Sequence, residues 1–228
     1  MSLAATTKLV ALLGHPVDHS LSPRMQNAAF ATLALDLAYV AFDVPPERVE
    51  GAVRGLDELG FVGANVTAPH KLAVAKLVGA DLPSVNTLVL RDGRVEGHST
   101  DAAVLAGLAA ERPVIIGAGG AAAAFVHALP NARVFSRRGE WPPQAGDADL
   151  VVNATPVKDD VLVRLGPGQT LIDLPYPETA TAAAARESGA TVLDGLDVLV
   201  AQGAASFELW TGIAAPVGAM RASVRSSA

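Results

Sequence analysis

Short apolar runs alternate along this chain with longer stretches whose apolar residues recur at helical spacing, and glycine or proline closes most of the runs. Such a pattern predicts buried strands joined by amphipathic helices. Leu9 to Leu13 is the first run, closed by Gly14 and Pro16, and Leu37 to Val44 is the second. Between them Ser22-Pro23 carries a helix-start signal, with Ser22 as N-cap, Pro23 in the first helical position and an end near Ala34. These segments predict a βαβ unit. Glu47 to Leu59 keeps helical spacing up to Gly60, Gly63 to Val66 reads as a strand, and a further helix opens at Pro69, so two more units follow. Thr87 to Leu90 and Val95 flank Asp92-Gly93 and predict a hairpin, because Asp-Gly supplies the positive φ values of a tight primed turn. Thr100 then opens a helix through Ala110.

From Pro113 the pattern restarts. A strand, a glycine turn and a helix to Leu129 are followed by strands at Arg133 to Ser136, Leu150 to Asn153 and Leu171 to Leu174, then a helix over Thr179 to Ser188. This predicts a second, doubly wound α/β region. Pro142, Pro143 and Gly146 fall where a crossover helix belongs, so the connection from Ser136 to Leu150 is expected to be a loop. Leu196 to Trp210 is a long amphipathic stretch with no strand after it, and alanine runs such as Ala121 to Ala124 and Ala182 to Ala185 suit closely packed helices.

Composition narrows the class. Half of the 228 residues are hydrophobic, enough for a full core in one large domain or two small ones. Net charge is −6 and the 17 lysines and arginines are scattered, which argues against nucleic acid or an anionic membrane and for a small-molecule partner. With no cysteine there are no disulfides, thiolate zinc sites or cysteine nucleophiles. No apolar run reaches the roughly 20 residues that cross a bilayer, and Met1 to Leu13 reads as a first strand and not as a signal peptide, so a cytoplasmic location is expected.

The chemistry starts at the glycine turn. Gly117-Ala118-Gly119-Gly120-Ala121, directly after the apolar run Pro113 to Ile116, matches the dinucleotide fingerprint with Ala122 in the third glycine position. Gly117 permits the tight turn, Gly119 lets backbone approach a pyrophosphate, and the helix N-terminus offers N–H groups and positive dipole. About 20 residues past the first glycine, an NAD site places an acid to hold the ribose hydroxyls. This chain has Ser136-Arg137-Arg138 instead, two guanidinium forks suited to a 2′-phosphate, which points to NADP unless they are a solvated surface pair.

In the first half, His19, Ser20 and Ser22 crowd a helix start that can bind a carboxylate, although local sequence favours a simple cap for Ser22, and both roles can coexist at one turn. Asn65, Thr67 and Lys71 bring a carboxamide, a hydroxyl and an ammonium to the carboxyl end of one strand, where ligands of open α/β sheets bind. Lys71 also fits a solvated helix position, and Asp101 fits a first-turn acid complementing a helix dipole.

Six segments carry a resemblance in sequence order: Gly14 to Pro23, Gly63 to Lys71, Val85-Asn86-Thr87-Leu88, Ser99-Thr100-Asp101, Asn153-Ala154-Thr155-Pro156 and Leu199-Val200-Ala201-Gln202. Together they resemble shikimate dehydrogenase over nearly the whole chain. The resemblance implies an N-terminal α/β substrate domain over 1–100, completed by C-terminal helices from 196–228, and a Rossmann-like NADP-binding domain over 101–195. It implies that Ser20 and Ser22 hold the substrate carboxylate, that Asn65, Thr67, Asn86, Asp101 and Gln202 hold ring hydroxyls, and that Tyr176 is a further substrate contact. Lys71 and Asp101 become the catalytic pair. Asn153, Ala154, Thr155 and Gly195 join the glycine turn and Ser136, Arg137 and Arg138 in holding the cofactor.

The implied reaction is NADP-dependent, reversible reduction of 3-dehydroshikimate to shikimate in aromatic amino acid biosynthesis, by a monomer or homodimer. A quinate or aminoshikimate dehydrogenase and a non-catalytic ligand-binding member are the alternatives. The chain departs from the family pattern at His98-Ser99-Thr100-Asp101-Ala102, at Gln26, and where Ser136 stands in place of the usual asparagine. The chain is also contracted before Val85 and between Arg138 and Asp149, and with Ala122 in the third glycine position and a shortened segment behind it, the glycine turn is where the cofactor site is expected to depart most from its relatives.

Overall fold

The computed structural model describes residues 3–225, so the last three residues of the expected C-terminal helical segment lie outside the described residues. The chain divides into two compact units, one of residues 1–100 and 200–228 and the other of residues 101–199. The division falls inside a helix, after Leu199, and not at Gly195 where the helix begins.

The first unit is built on strands β1 (Lys8–Gly14), β2 (Leu37–Asp43), β3 (Gly63–Val66), β4 (Thr87–Arg91) and β5 (Arg94–His98), in spatial order β2-β1-β3-β4-β5. β1 lies parallel to both β2 and β3, as two crossover units require, but β3 and β4 run antiparallel. The third expected parallel unit is therefore absent: the short helix α3 (Lys71–Leu77) leads into a strand that turns back. The hairpin forms on Asp92 and Gly93 at φ 51° and 71°, the two left-handed residues of a type I′ turn.

Two helix starts are corrected. In α1 (Ser22–Thr32) the cap position is Leu21, which makes no side-chain capping bond, and Ser22 is the first helical residue. Its own N–H donates to Ser20 Oγ at 3.3 Å. α3 begins at Lys71 and not at Pro69, because His70 takes the cap position after a turn in which its N–H donates to Thr67 O. A short 3₁₀ turn over Pro46–Arg48 precedes α2 (Val49–Glu58).

One face of this sheet buries Ala11, Leu13, Ala64, Val66 and Leu88 against α2 and α3. The C-terminal half of α6 (Gly195–Thr211) supplies Phe207, whose ring centroid lies 5.6 Å from that of Phe30, and Trp210, whose Nε1–H donates to Leu88 O at 2.9 Å. Gly63 makes room for that indole: a Cβ there would strike the Trp210 ring. α7 (Val217–Arg225) packs along α1.

The second unit contains β6 (Pro113–Ile116), α4 (Gly120–Ala128), β7 (Arg133–Phe135), β8 (Leu150–Asn153), β9 (Thr170–Asp173), α5 (Ala180–Glu187) and β10 (Thr191–Leu193), with strand order β10-β9-β8-β6-β7. Every pairing is parallel. Alternate residues feed two separate cores, Val114 and Ile116 facing α5 and Ile115 facing α4, so these strands read as continuous apolar runs. The expected helix from Thr100 through Ala110 reduces to a 3₁₀ turn at Asp101–Leu105. Gly107 at φ +81° breaks it, and Asp149 captures the backbone N–H groups of Glu111 and Arg112 at 2.7 and 3.0 Å. β10 is a strand that the sequence pattern missed. Among the described residues no helix is long and apolar enough to cross a membrane.

Candidate active site

In the first unit the carboxyl edge of β1 and β3 gathers the polar residues. Asn65, buried in β3, accepts from Tyr39 Oη at 2.8 Å through Oδ1 and donates from Nδ2 to Asn86 O, Thr87 Oγ1 and Ser206 Oγ at 3.0–3.1 Å. Asn86 accepts the Thr100 N–H at 2.6 Å and donates to Thr100 Oγ1 at 2.9 Å and Gln202 Oε1 at 3.3 Å. Antiparallel register places Thr87 opposite Asn65, and one turn of α6 separates Gln202 from Ser206, whose hydroxyl donates back to the Gln202 carbonyl. Asn65, Asn86 and Gln202 thus belong to one network. Buried amides cannot leave their donors unpaired without a cost of about 1–3 kcal/mol each, so this network holds its side chains in fixed orientations.

Tyr39, Thr87 and Ser206 are members that the sequence reading did not assign. Ser206 was detectable as a polar residue one helical turn after Gln202, on the same side of the helix. Tyr39 lies in an apolar strand and carried no such signal.

Lys71 opens α3, directly after His70. The His70 ring is buried and its Nε2–H donates to Val44 O at 2.7 Å, which ties the start of this helix to the segment after β2. A carbonyl only accepts, so this bond fixes the proton on Nε2. Thr67 packs at Gly14, where a Cβ would strike the threonine methyl group. Ser20 and Ser22 stand together at the start of α1 after β1.

In the second unit the glycine turn forms as the strand-turn-helix motif demands. Gly117 takes φ +132°, and a Cβ there would meet Ala154 O at 2.8 Å, so no other residue fits. Gly119 has open space where a Cβ would stand, and the first N–H groups of α4 behind it have no carbonyl ahead of them within the helix. A cleft of about 370 Å³ opens at this point. Gly117, Ala118, Gly119, Ser136, Arg137 and Arg138 line it from one side, and Ala154, Thr155 and Pro156 from the other. It lies where β6 is flanked by β7 on one side and β8 on the other, the reversal point at which doubly wound sheets bind ligands. Open backbone at Gly119 beside helix N–H groups fits a pyrophosphate, and two guanidinium groups fit a further phosphate.

Other expected residues lie elsewhere. Gly120 and Ala121 are in the first turn of α4. Asn153 is fully buried behind the cleft wall: its Oδ1 accepts from Thr155 N and Oγ1 at 3.1 and 2.8 Å, and its Nδ2 donates to Asp173 at 2.7 Å. Asp173 also accepts from Thr179, whose hydroxyl caps α5 by accepting the Ala182 N–H. Burial pushes the Asp173 carboxyl above its ordinary pKa, although both hydrogen bonds and the Arg186 charge pull the other way. Gly195 lies against the carbonyls of Leu174 and Pro175, where a Cβ has no room. Tyr176 follows β9, and its carbonyl accepts from Lys158 Nζ at 2.9 Å. Asp101 is buried at the start of its 3₁₀ turn in this unit.

Known proteins match this arrangement in both units. Residues 12–87 match the shikimate dehydrogenase substrate binding domain, and residues 195–225 match the shikimate 5′-dehydrogenase C-terminal domain. The chain is 40% identical to the shikimate dehydrogenase (NADP(+)) of Methanopyrus kandleri, over 98% of this chain and 97% of that protein. It is 41% identical to the enzyme of the same name from Moorella thermoacetica, over 96% and 93%. The crystal structure of shikimate 5-dehydrogenase from Thermus thermophilus, in complex with NADP(H) and shikimate, is similar with a TM-score of 0.84 and 31% identity, over 97% of this chain and all of that one.

Proposed function

The chain belongs to the shikimate dehydrogenase family, and on that premise we propose that it catalyses the reversible, NADP-dependent reduction of 3-dehydroshikimate to shikimate. The observation that carries the reading is a relationship to NADP-dependent enzymes that runs through both units and over nearly the whole chain.

The glycine turn and the N-terminus of α4 hold the cofactor pyrophosphate, and Arg137 and Arg138 hold its 2′-phosphate. When bound, NADPH supplies the hydride. The side chains of this protein supply position and the proton. Ser20 and Ser22 bind the substrate carboxylate, and Asn65, Thr67, Asn86 and Gln202 fix the ring hydroxyls, with Tyr39, Thr87 and Ser206 holding the carboxamides in place. Lys71 donates a proton to the oxygen that gains negative charge as the ketone is reduced, and takes it back in the reverse direction. Asp101 is the acidic member of that catalytic pair. Tyr176 is a further substrate contact.

Following NADPH formation with purified protein and shikimate, then with quinate and with NAD in place of NADP, tests the reading. Turnover is expected with shikimate and NADP. Absence of turnover with every combination overturns the enzyme reading, and faster turnover of quinate reassigns the substrate.

A further inference from the structure

The cofactor cleft has one wall that the strand and helix pattern does not explain. Between β7 and β8 the described chain has a loop in place of a crossover helix, and that loop is tightly folded at its start. Ser136 N–H donates to Glu140 O at 3.1 Å and Gly139 N–H donates to Ser136 O at 2.9 Å, so the chain doubles back within five residues. The reversal brings Trp141 beside Arg137, whose guanidinium carbon stands 5.6 Å from the indole centroid. Both side chains line the cleft, with Ser136 and Arg138.

A guanidinium stacked on an aromatic face keeps its N–H donors, which lie in its own plane, available to an anion. The ring also limits the rotamers of a long, exposed side chain before any ligand arrives. Less conformational entropy is then lost when the guanidinium is fixed by an oxyanion. An unphosphorylated ribose hydroxyl gains little from the same arrangement, because it lacks the charge that the stacked cation meets.

We propose that Trp141 is a positioning residue for cofactor selection: its indole holds the Arg137 guanidinium for a phosphomonoester on the adenosine ribose, so that preference for a 2′-phosphorylated dinucleotide depends on this ring. The proposal rests on the reading of the cleft as an NADP site.

Calorimetric titration of the full chain with 2′,5′-ADP and with 5′-ADP separates the two claims. The wild-type chain is expected to bind 2′,5′-ADP the more tightly. Trp141→Ala should reduce that preference by roughly fivefold, the scale of a partly exposed cation–π contact, while affinity for 5′-ADP changes little. Trp141→Phe should retain most of the preference. Unchanged preference in Trp141→Ala, or equal weakening of both ligands, overturns the role given to Trp141 and leaves the NADP reading intact. A wild-type chain with no preference overturns the NADP reading and this proposal with it.

Fluorescence gives a readout that does not depend on the alanine variant folding. The chain has two tryptophans, and Trp210 is buried in the first unit with its Nε1–H on Leu88 O. 2′,5′-ADP should shift the emission of the wild-type chain more than 5′-ADP does, and the difference should vanish in Trp141→Phe. Equal shifts from the two ligands in the wild-type chain overturn the proposal.

Discussion

At the scale of single residues, the proposed chemistry depends on one ammonium placed by its neighbour. His70, anchored to Val44 O, sets where α3 starts, and Lys71 is the first residue of that helix. Lys71→Ala should lower kcat for shikimate oxidation by roughly a hundredfold or more, the usual loss with a general acid or base. Steady-state kinetics checks this, and a variant with near-normal kcat would make Lys71 a binding residue only. Gly117 has a separate requirement, because its φ of +132° and the Ala154 carbonyl at 2.8 Å leave no place for a side chain. Gly117→Ala should destabilise the fold by about 1–3 kcal/mol, measured by chemical denaturation. An unchanged midpoint would mean that the turn relaxes into another conformation. Replacing Arg137 and Arg138 together should weaken NADP far more than NAD in binding titrations, and equal weakening would remove them from the 2′-phosphate. The backbone requirement at Gly117 was legible in sequence because glycine has a conformational freedom that no other residue supplies. Tyr39 and Thr87 were not, since a hydroxyl in an apolar strand gains a role only from what other strands bring within its reach: Asn65 stands opposite Thr87 on the neighbouring strand, and across β1 from Tyr39.

Among the elements, the parallel sheet of the second unit was the easiest to read and its edges the hardest. β8 agrees with the apolar run Leu150 to Asn153, because a strand covered on both faces is apolar at every position. The three residues of β10 gave no such run. The helix expected from Thr100 shows the other failure: helical spacing was present, but Gly107 turns to φ +81° and Asp149, immediately before the adjacent strand β8, holds the N–H groups of Glu111 and Arg112 just past the expected end. Helix propensity is a weak preference that such tertiary bonds override. The line from Asn153 through Asp173 to the Thr179 cap joins β8, β9 and α5, and it bears on stability against pH. Burial favours the neutral form of Asp173, so the folded chain holds this proton more tightly than the unfolded chain does. The resulting stabilisation is complete below the ordinary value of 3.8 and is lost as pH rises through the raised pKa. Urea midpoints taken from about pH 4 to pH 7 should fall less steeply with rising pH in Asp173→Asn than in the wild-type chain. Parallel curves would show that this carboxyl does not titrate in that range.

For the whole molecule, the chain visits the first unit, builds the second, and returns inside α6. The proposed ligand roles follow that division, and hydrogen exchange can test it. NADP should slow exchange around the glycine turn, the 136–141 turn and the 154–157 segment, whereas shikimate should slow exchange at the starts of α1 and α3. Protection by NADP centred on the first unit would overturn the cofactor assignment. Sequence by itself determined two α/β regions, the hairpin at Asp92-Gly93, the glycine turn, the loop that replaces a crossover helix and the order of the motifs. All of these are local, written in the spacing of apolar residues or in the backbone freedom of a few positions. Tertiary structure alone decided that β4 runs against β3, that Ser206 and Tyr39 join the Asn65 network, that Asn153 lies behind the cleft and that Trp141 stands on Arg137. Those outcomes depend on which distant segments become neighbours, and the spacing of residues along one chain does not specify what will lie across from it.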